Sequence, residues 1–128
     1  MTEPFAPGAP IWVDLGTTDV KGAAEFYGSL FGWKIEKFPA GVGDYWHIDT
    51  GGSDDTPDGG LLPRMHSQQP ITSYIAVPSI DESATKVEKL GGKVMKLKTA
   101  VPHMGYFAIC TDTEDNEFAL WECNENAS

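Results

Sequence analysis

Three histidines, His47, His66 and His103, are the side chains in this 128-residue sequence best suited to proton transfer near neutral pH, because imidazole titrates close to that range. Each stands alone in the sequence. His47 falls in a predicted strand, and His103, in Pro102-His103-Met104-Gly105, precedes one. A general-base role is open to any of them, and a surface or packing role is the plainer reading of all three. Asp49, Asp54, Asp55 and Asp58 crowd a glycine-rich stretch and raise the question of calcium. Their spacing does not match D-x-[DN]-x-[DN]-G, and no Glu follows at the bidentate position, so they read as a solvated hairpin tip. Cys110 and Cys123 lack a C-x-x-C or Cys/His neighbourhood, which argues against metal and redox chemistry. A terminal hairpin turning near Glu114 sets residue 110 opposite 118, so a bridge to 123 is geometrically awkward and two reduced cysteines are expected. Phosphate-cradle, nucleophile-elbow and H-E-x-x-H patterns are missing from the sequence.

These side chains must be carried by a regular alternation of strands and helices. Residues 1–10 hold three prolines and a glycine and read as an irregular lead-in. Ile11 to Leu15 alternates as a strand. Asp19 is the N-cap of a helix whose apolar residues Val20, Ala23, Ala24, Tyr27 and Leu30 recur at three and four, and Gly32 ends it. Short strands follow over 33–38 and 44–50, and a fourth contains Leu61-Leu62 after an acidic loop from Gly51 to Gly60. The second half repeats this order: a strand over 71–77, a helix from Ile80 to Leu90 with one apolar face, Gly91-Gly92, then strands over 93–97, 106–111 and 118–123. At the constant offset that sets Val20 on Ile80, Ile11 meets Ile71, Leu15 meets Ile75, Ala24 meets Ala84, Leu30 meets Leu90 and Gly32 meets Gly92. Two βαβββ repeats, about 10–64 and 70–123, are the economical explanation, and the length fits one α+β domain over 1–128.

Composition narrows the partners. Nine Lys and Arg against nineteen Asp and Glu give a net charge of −10, which repels phosphate backbones and anionic membranes. No nucleic-acid partner is expected. No apolar run approaches the ~20 residues of a membrane span, and the N-terminus lacks the basic start of a signal peptide. A soluble, cytoplasmic protein with no membrane partner is expected.

Phe26-Tyr27-Gly28-Ser29-Leu30-Phe31-Gly32-Trp33 resembles the F-Y-x-x-L-F-G-W signature at the first helix end of the vicinal oxygen chelate superfamily, which includes glyoxalase I, extradiol dioxygenases and bleomycin-resistance proteins. Leu90-Gly91-Gly92-Lys93-Val94 and Asp112-Thr113-Glu114-Asp115-Asn116-Glu117-Phe118-Ala119-Leu120-Trp121 resemble its second-half motifs, with Thr113 for the usual Pro and Asp115 for the usual Gly. The resemblance implies curled mixed sheets around a cavity with the helices outside. It also implies a divalent metal held by one residue from the first and one from the last strand of each repeat, a site that needs His, Glu or Gln. Carried onto this sequence, those positions are Trp12, Gly60, Thr72 and Ala119. None is a ligand, so no metal and no cofactor are expected.

Side chains two apart on a strand share a face. Asp14 therefore accompanies Trp12, Leu62 accompanies Gly60, Tyr74 accompanies Thr72 and Trp121 accompanies Ala119, while Val13, Leu15, Ile75, Val77, Phe118 and Leu120 turn to the helices. The expected ligand-binding residues are Trp12, Asp14, Leu62, Thr72, Tyr74 and Trp121: aromatic faces with one carboxylate, suited to a planar or cationic small molecule. The resemblance also implies a homodimer that covers apolar rims and strand edges. The favoured function is a metal-free, small-molecule-binding glyoxalase- and bleomycin-resistance-like protein. A metal-dependent lyase or dioxygenase with displaced ligands, and a structural module with a plugged cavity, stay open as alternatives.

Overall fold

A computed structural model describes residues 7–38, 44–52, 58–64 and 69–128; His66, Asp54 and Asp55 lie outside the described residues. The order of elements is β1 (Pro10–Thr17), α1 (Val20–Phe31), β2 (Lys34–Lys37), β3 (Trp46–Asp49), β4 (Asp58–Pro63), β5 (Thr72–Ala76), α2 (Ile80–Lys89), β6 (Lys93–Val101), β7 (Gly105–Thr111) and β8 (Glu117–Cys123). The chain divides into two compact units, one of residues 12–71 and one of residues 1–11 with 72–128. Each follows the βαβββ plan. In the first unit the strands run β2-β3-β4-β1, and in the second β6-β7-β8-β5. In both, the outer pairs are antiparallel and the pair joining the first and last strands is parallel.

Local chemistry explains where α1 starts and stops. The Asp19 carboxylate accepts the Gly22 N–H at 3.0 Å, which satisfies one of the orphan donors of the first turn. Gly32 closes the helix in the left-handed region at φ 73, where a Cβ is costly. α1 packs on β4 and β2, and Leu61 of β4 is fully buried. Contrary to the expected inward face, Leu30 is exposed, as are Phe26 and Phe31.

In the second unit Ser79 accepts the Glu82 N–H at 3.2 Å, and the Glu122 carboxylate accepts the Ile80 N–H at 2.8 Å. Two side chains thus share the N-terminus of α2. Ile80, Ala108, Cys110 and Leu120 form the core beneath α2, with Val77, Val87 and Phe118 against it. Leu90, expected on that face, is the cap residue beyond the last turn and is exposed. Cys110 pairs with Phe118 across β7 and β8, and both cysteines are thiols. The 7–9 segment, read as irregular, hydrogen-bonds to Ala76 of β5: Gly8 N–H donates to its carbonyl and its N–H donates to the Ala9 carbonyl. Among the described residues no helix is long and apolar enough to cross a membrane.

One boundary differs from expectation in a way that matters for the site. β4 begins at Asp58, so Asp58, Gly59 and Gly60 belong to a strand and not to the acidic loop. They pair in parallel with Trp12, Val13 and Asp14. A Cβ built on Gly59 would collide with the Val13 carbonyl. These glycines permit close backbone approach, which composition alone does not distinguish from a turn.

Candidate functional site

Alternation along β1, β3 and β4 gathers one set of side chains on the face of the first unit opposite α1. β1 presents Trp12 and Asp14. Register sets Asp14 beside Gly60, and Gly60 beside His47. Tyr45, just before β3, shares the parity of His47.

The side chains are joined directly. The Trp12 indole N–H donates to Asp14 Oδ1 at 3.0 Å and to the Tyr45 hydroxyl oxygen at 2.6 Å. Tyr45 in turn donates its O–H to Asp14 Oδ1. Asp14 is 7% exposed, so its carboxylate depends on such donors, because a buried charge without partners costs several kcal/mol. Gly60 makes the arrangement possible. A Cβ there would collide with the Tyr45 hydroxyl and lie 2.7 Å from Asp14 Oδ1.

His47 stacks on Trp12, with ring centroids 5.6 Å apart and planes 6° from parallel. Phe38 leans on both rings and on Tyr45. His47 Nε2 lies 3.1 Å from Asp58 Oδ2. The other oxygen of Asp58 accepts the Thr50 N–H at 3.1 Å and the Thr50 hydroxyl at 3.0 Å. Burial pushes the Asp58 carboxyl up, but the Thr50 donors and His47 outweigh it and hold the group below its ordinary value of 3.8.

Of the expected ligand-binding residues, Trp12 and Asp14 are brought into direct hydrogen bonding, and Leu62 follows on β4, half-buried. Thr72, Tyr74 and Trp121 lie in the second unit. Thr72 is buried and donates to Glu117 at 2.8 Å. Tyr74 pairs with Ala119 in register and faces Phe107 at 6.3 Å between centroids. Trp121 is 1% exposed, and its indole N–H points to Cys123 Sγ at 3.2 Å. His103 is exposed in a turn, with φ 65 and its N–H on the Ala127 carbonyl. Sequence reading missed Phe38, Tyr45 and Asp58, and took His47 as isolated. Pairing β3 with β4 through Gly60 would have found His47.

The divalent metal implied by the resemblance does not fit the residues present. Trp12, Gly60, Thr72 and Ala119 offer no imidazole or carboxylate, and a side chain at 60 is barred by Tyr45. Among the described residues no three His, Cys, Asp or Glu are grouped to hold a metal ion.

With this geometry established, comparison with known proteins decides the family. The model of the glyoxalase-like domain matches residues 11–121. The chain belongs to the glyoxalase-like domain family. It is 34% identical over 131 residues to an anthracycline biosynthesis protein of Streptomyces peucetius, covering 91% of this chain and 48% of that protein. It is 32% identical over 126 residues to a putative glyoxylase of Mycobacterium bovis, covering 95% of this chain and 48% of that protein. The chain thus spans about half the length of these curated relatives. A solved member of the glyoxalase/bleomycin resistance protein/dioxygenase superfamily from Vibrio splendidus shares the fold, with a TM-score of 0.61 at 10% identity, covering 88% of this chain and 96% of that one. The resemblance read from the Phe26–Trp33 motif and the β8 ending therefore holds across this glyoxalase-like chain.

Proposed function

We infer that this glyoxalase-like protein binds a small planar aromatic molecule, neutral or cationic, without a metal ion. One observation carries the reading: at Gly60, where the family resemblance calls for a metal ligand, the space belongs to the Tyr45 hydroxyl, bonded to Trp12 and Asp14. The face is built of rings, Trp12, Phe38, Tyr45 and His47, which supply area for stacking. Trp12 and Asp14 are the buried layer, and the half-exposed Phe38 and His47 are the layer a ligand meets first. On this reading Trp12, Asp14 and Leu62 belong to the ligand-binding face of the first unit. Two relatives named for anthracycline biosynthesis support it, since anthracyclines are fused planar aromatics. The net charge of −10 disfavours anions.

The protein acts in the cytoplasm as a homodimer on this reading. The exposed apolar face of α1, with Phe26, Leu30 and Phe31, supports self-association, as do relatives long enough to carry a second domain of this size. Burial of Trp121 favours a second reading, in which the face of the second unit is filled by its own side chains. A thermal-shift screen of cationic, neutral and anionic aromatics in chelator separates the two. Stabilisation by planar cations or neutral aromatics supports binding, and stabilisation by none supports the filled module.

A further inference from the structure

Stacking uses the face of the His47 ring and leaves unused its two nitrogens and the Asp58 carboxylate beside them. We propose that His47, oriented by Asp58, is an acid–base site that accepts the proton of an acidic hydroxyl on a planar aromatic ligand, a phenol or hydroxyquinone. The inference rests on the planar-aromatic reading above and deepens it.

Asp58 is held by both Thr50 donors and, as a carboxylate, only accepts hydrogen bonds. The imidazole nitrogen facing it, Nε2, must therefore carry a hydrogen. In neutral His47 this leaves the lone pair on Nδ1. The ring cannot swing freely, because it lies flat on Trp12, which Asp14 and Tyr45 fix in turn. The His47 side chain is 37% exposed, so the ring is open to solvent while its orientation is set from within. A nitrogen base, a carboxylate behind it and a rigid aromatic floor are what a directed proton acceptor requires.

The step is a proton transfer alone. The ligand O–H bond breaks, the proton passes to Nδ1, and the electron pair stays on oxygen as a phenolate. The imidazolium is stabilised by Asp58. Other charged or titratable groups face His47 from each neighbouring element: Glu36 opposite it on β2, Asp14 on β1, Tyr45 ahead of β3 and Asp49 farther along it. Glu36 is engaged by Lys34 at 3.4 Å.

The test is the absorption spectrum of alizarin, 1,2-dihydroxyanthraquinone, mixed with the protein in chelator at a pH where the free dye is neutral. Tryptophan quenching reports binding, and the red-shifted phenolate band reports proton transfer. The wild type should bind the dye and show the band. His47→Phe keeps a ring on Trp12 and removes both nitrogens; whatever its affinity, the dye it holds at saturation should lack the band. Asp58→Asn should weaken the band. Bound dye that stays neutral in the wild type, or a full band in His47→Phe, overturns the inference. In that outcome quenching by alizarin still upholds the planar-aromatic reading. Absence of quenching overturns both.

Discussion

The Tyr45 hydroxyl sits in the space that any side chain at Gly60 would need. Gly60 lies on β4 and Tyr45 just ahead of β3, and the two are mutually exclusive in size. Gly60→Ala should therefore destabilise the fold by about 1–3 kcal/mol, the range for forcing an extra methyl into packed surroundings. In the Tyr45→Ala background the same change should cost less. Urea unfolding of the four proteins of this double-mutant cycle checks the coupling, and additive effects would show that the two side chains do not compete.

Tyr45→Phe keeps the ring but removes the donor to Asp14 and the acceptor for Trp12. The expected loss is about 1–3 kcal/mol, because a buried carboxylate loses a donor. A change within a few tenths of a kcal/mol in denaturant unfolding would show that Asp14 draws its stability from other partners.

Asp58 gives a pH prediction with a definite sign. Its folded-state pKa is lowered from 3.8, so it contributes stability that is fully present above 3.8 and is lost as pH falls through the lower folded value. Asp58→Asn should lower stability at neutral pH and flatten the loss of stability below 3.8. Thermal melts from neutral pH down to about 3 compare the slopes, and parallel curves would contradict the assignment.

Asp115 stands where the superfamily ending usually has Gly, and it adopts φ 64. Asp tolerates the left-handed region better than most residues, but its Cβ still carries a cost. Asp115→Gly should therefore raise stability by up to about 1 kcal/mol, less the extra chain entropy of glycine. A lower melting temperature would show that this entropy outweighs the relief of strain.

How legible this was depended on the range of the interactions. The α1 boundaries were readable because Asp19 and Gly32 act within one turn of the helix. The repeat was readable because it is periodic, and the structure gives it a shared register: Asp14 lies beside Gly60 as Tyr74 lies beside Ala119. β4 was misplaced because Gly59 and Gly60 carry a turn-like composition, whereas their purpose is close approach to β1 and room for Tyr45. Tyr45, His47 and Asp58 escaped notice as a site for a related reason. They are separated by loops in sequence and meet only through pairing of β3 with β4, which single-residue spacing does not reveal. Leu30 and Leu90 kept helical periodicity and yet lie exposed, since periodicity marks a face without saying what covers it.

The most direct test of the central claim is a tryptophan-fluorescence titration of the chelator-treated protein with 9-aminoacridine, a planar aromatic cation, repeated after adding Zn, Ni, Mn or Fe(II) in excess of the chelator. Saturable quenching of equal affinity is expected with and without metal, weakened in Asp14→Asn. Quenching that appears only when a metal is supplied, together with about one equivalent of that metal retained per chain, would contradict it.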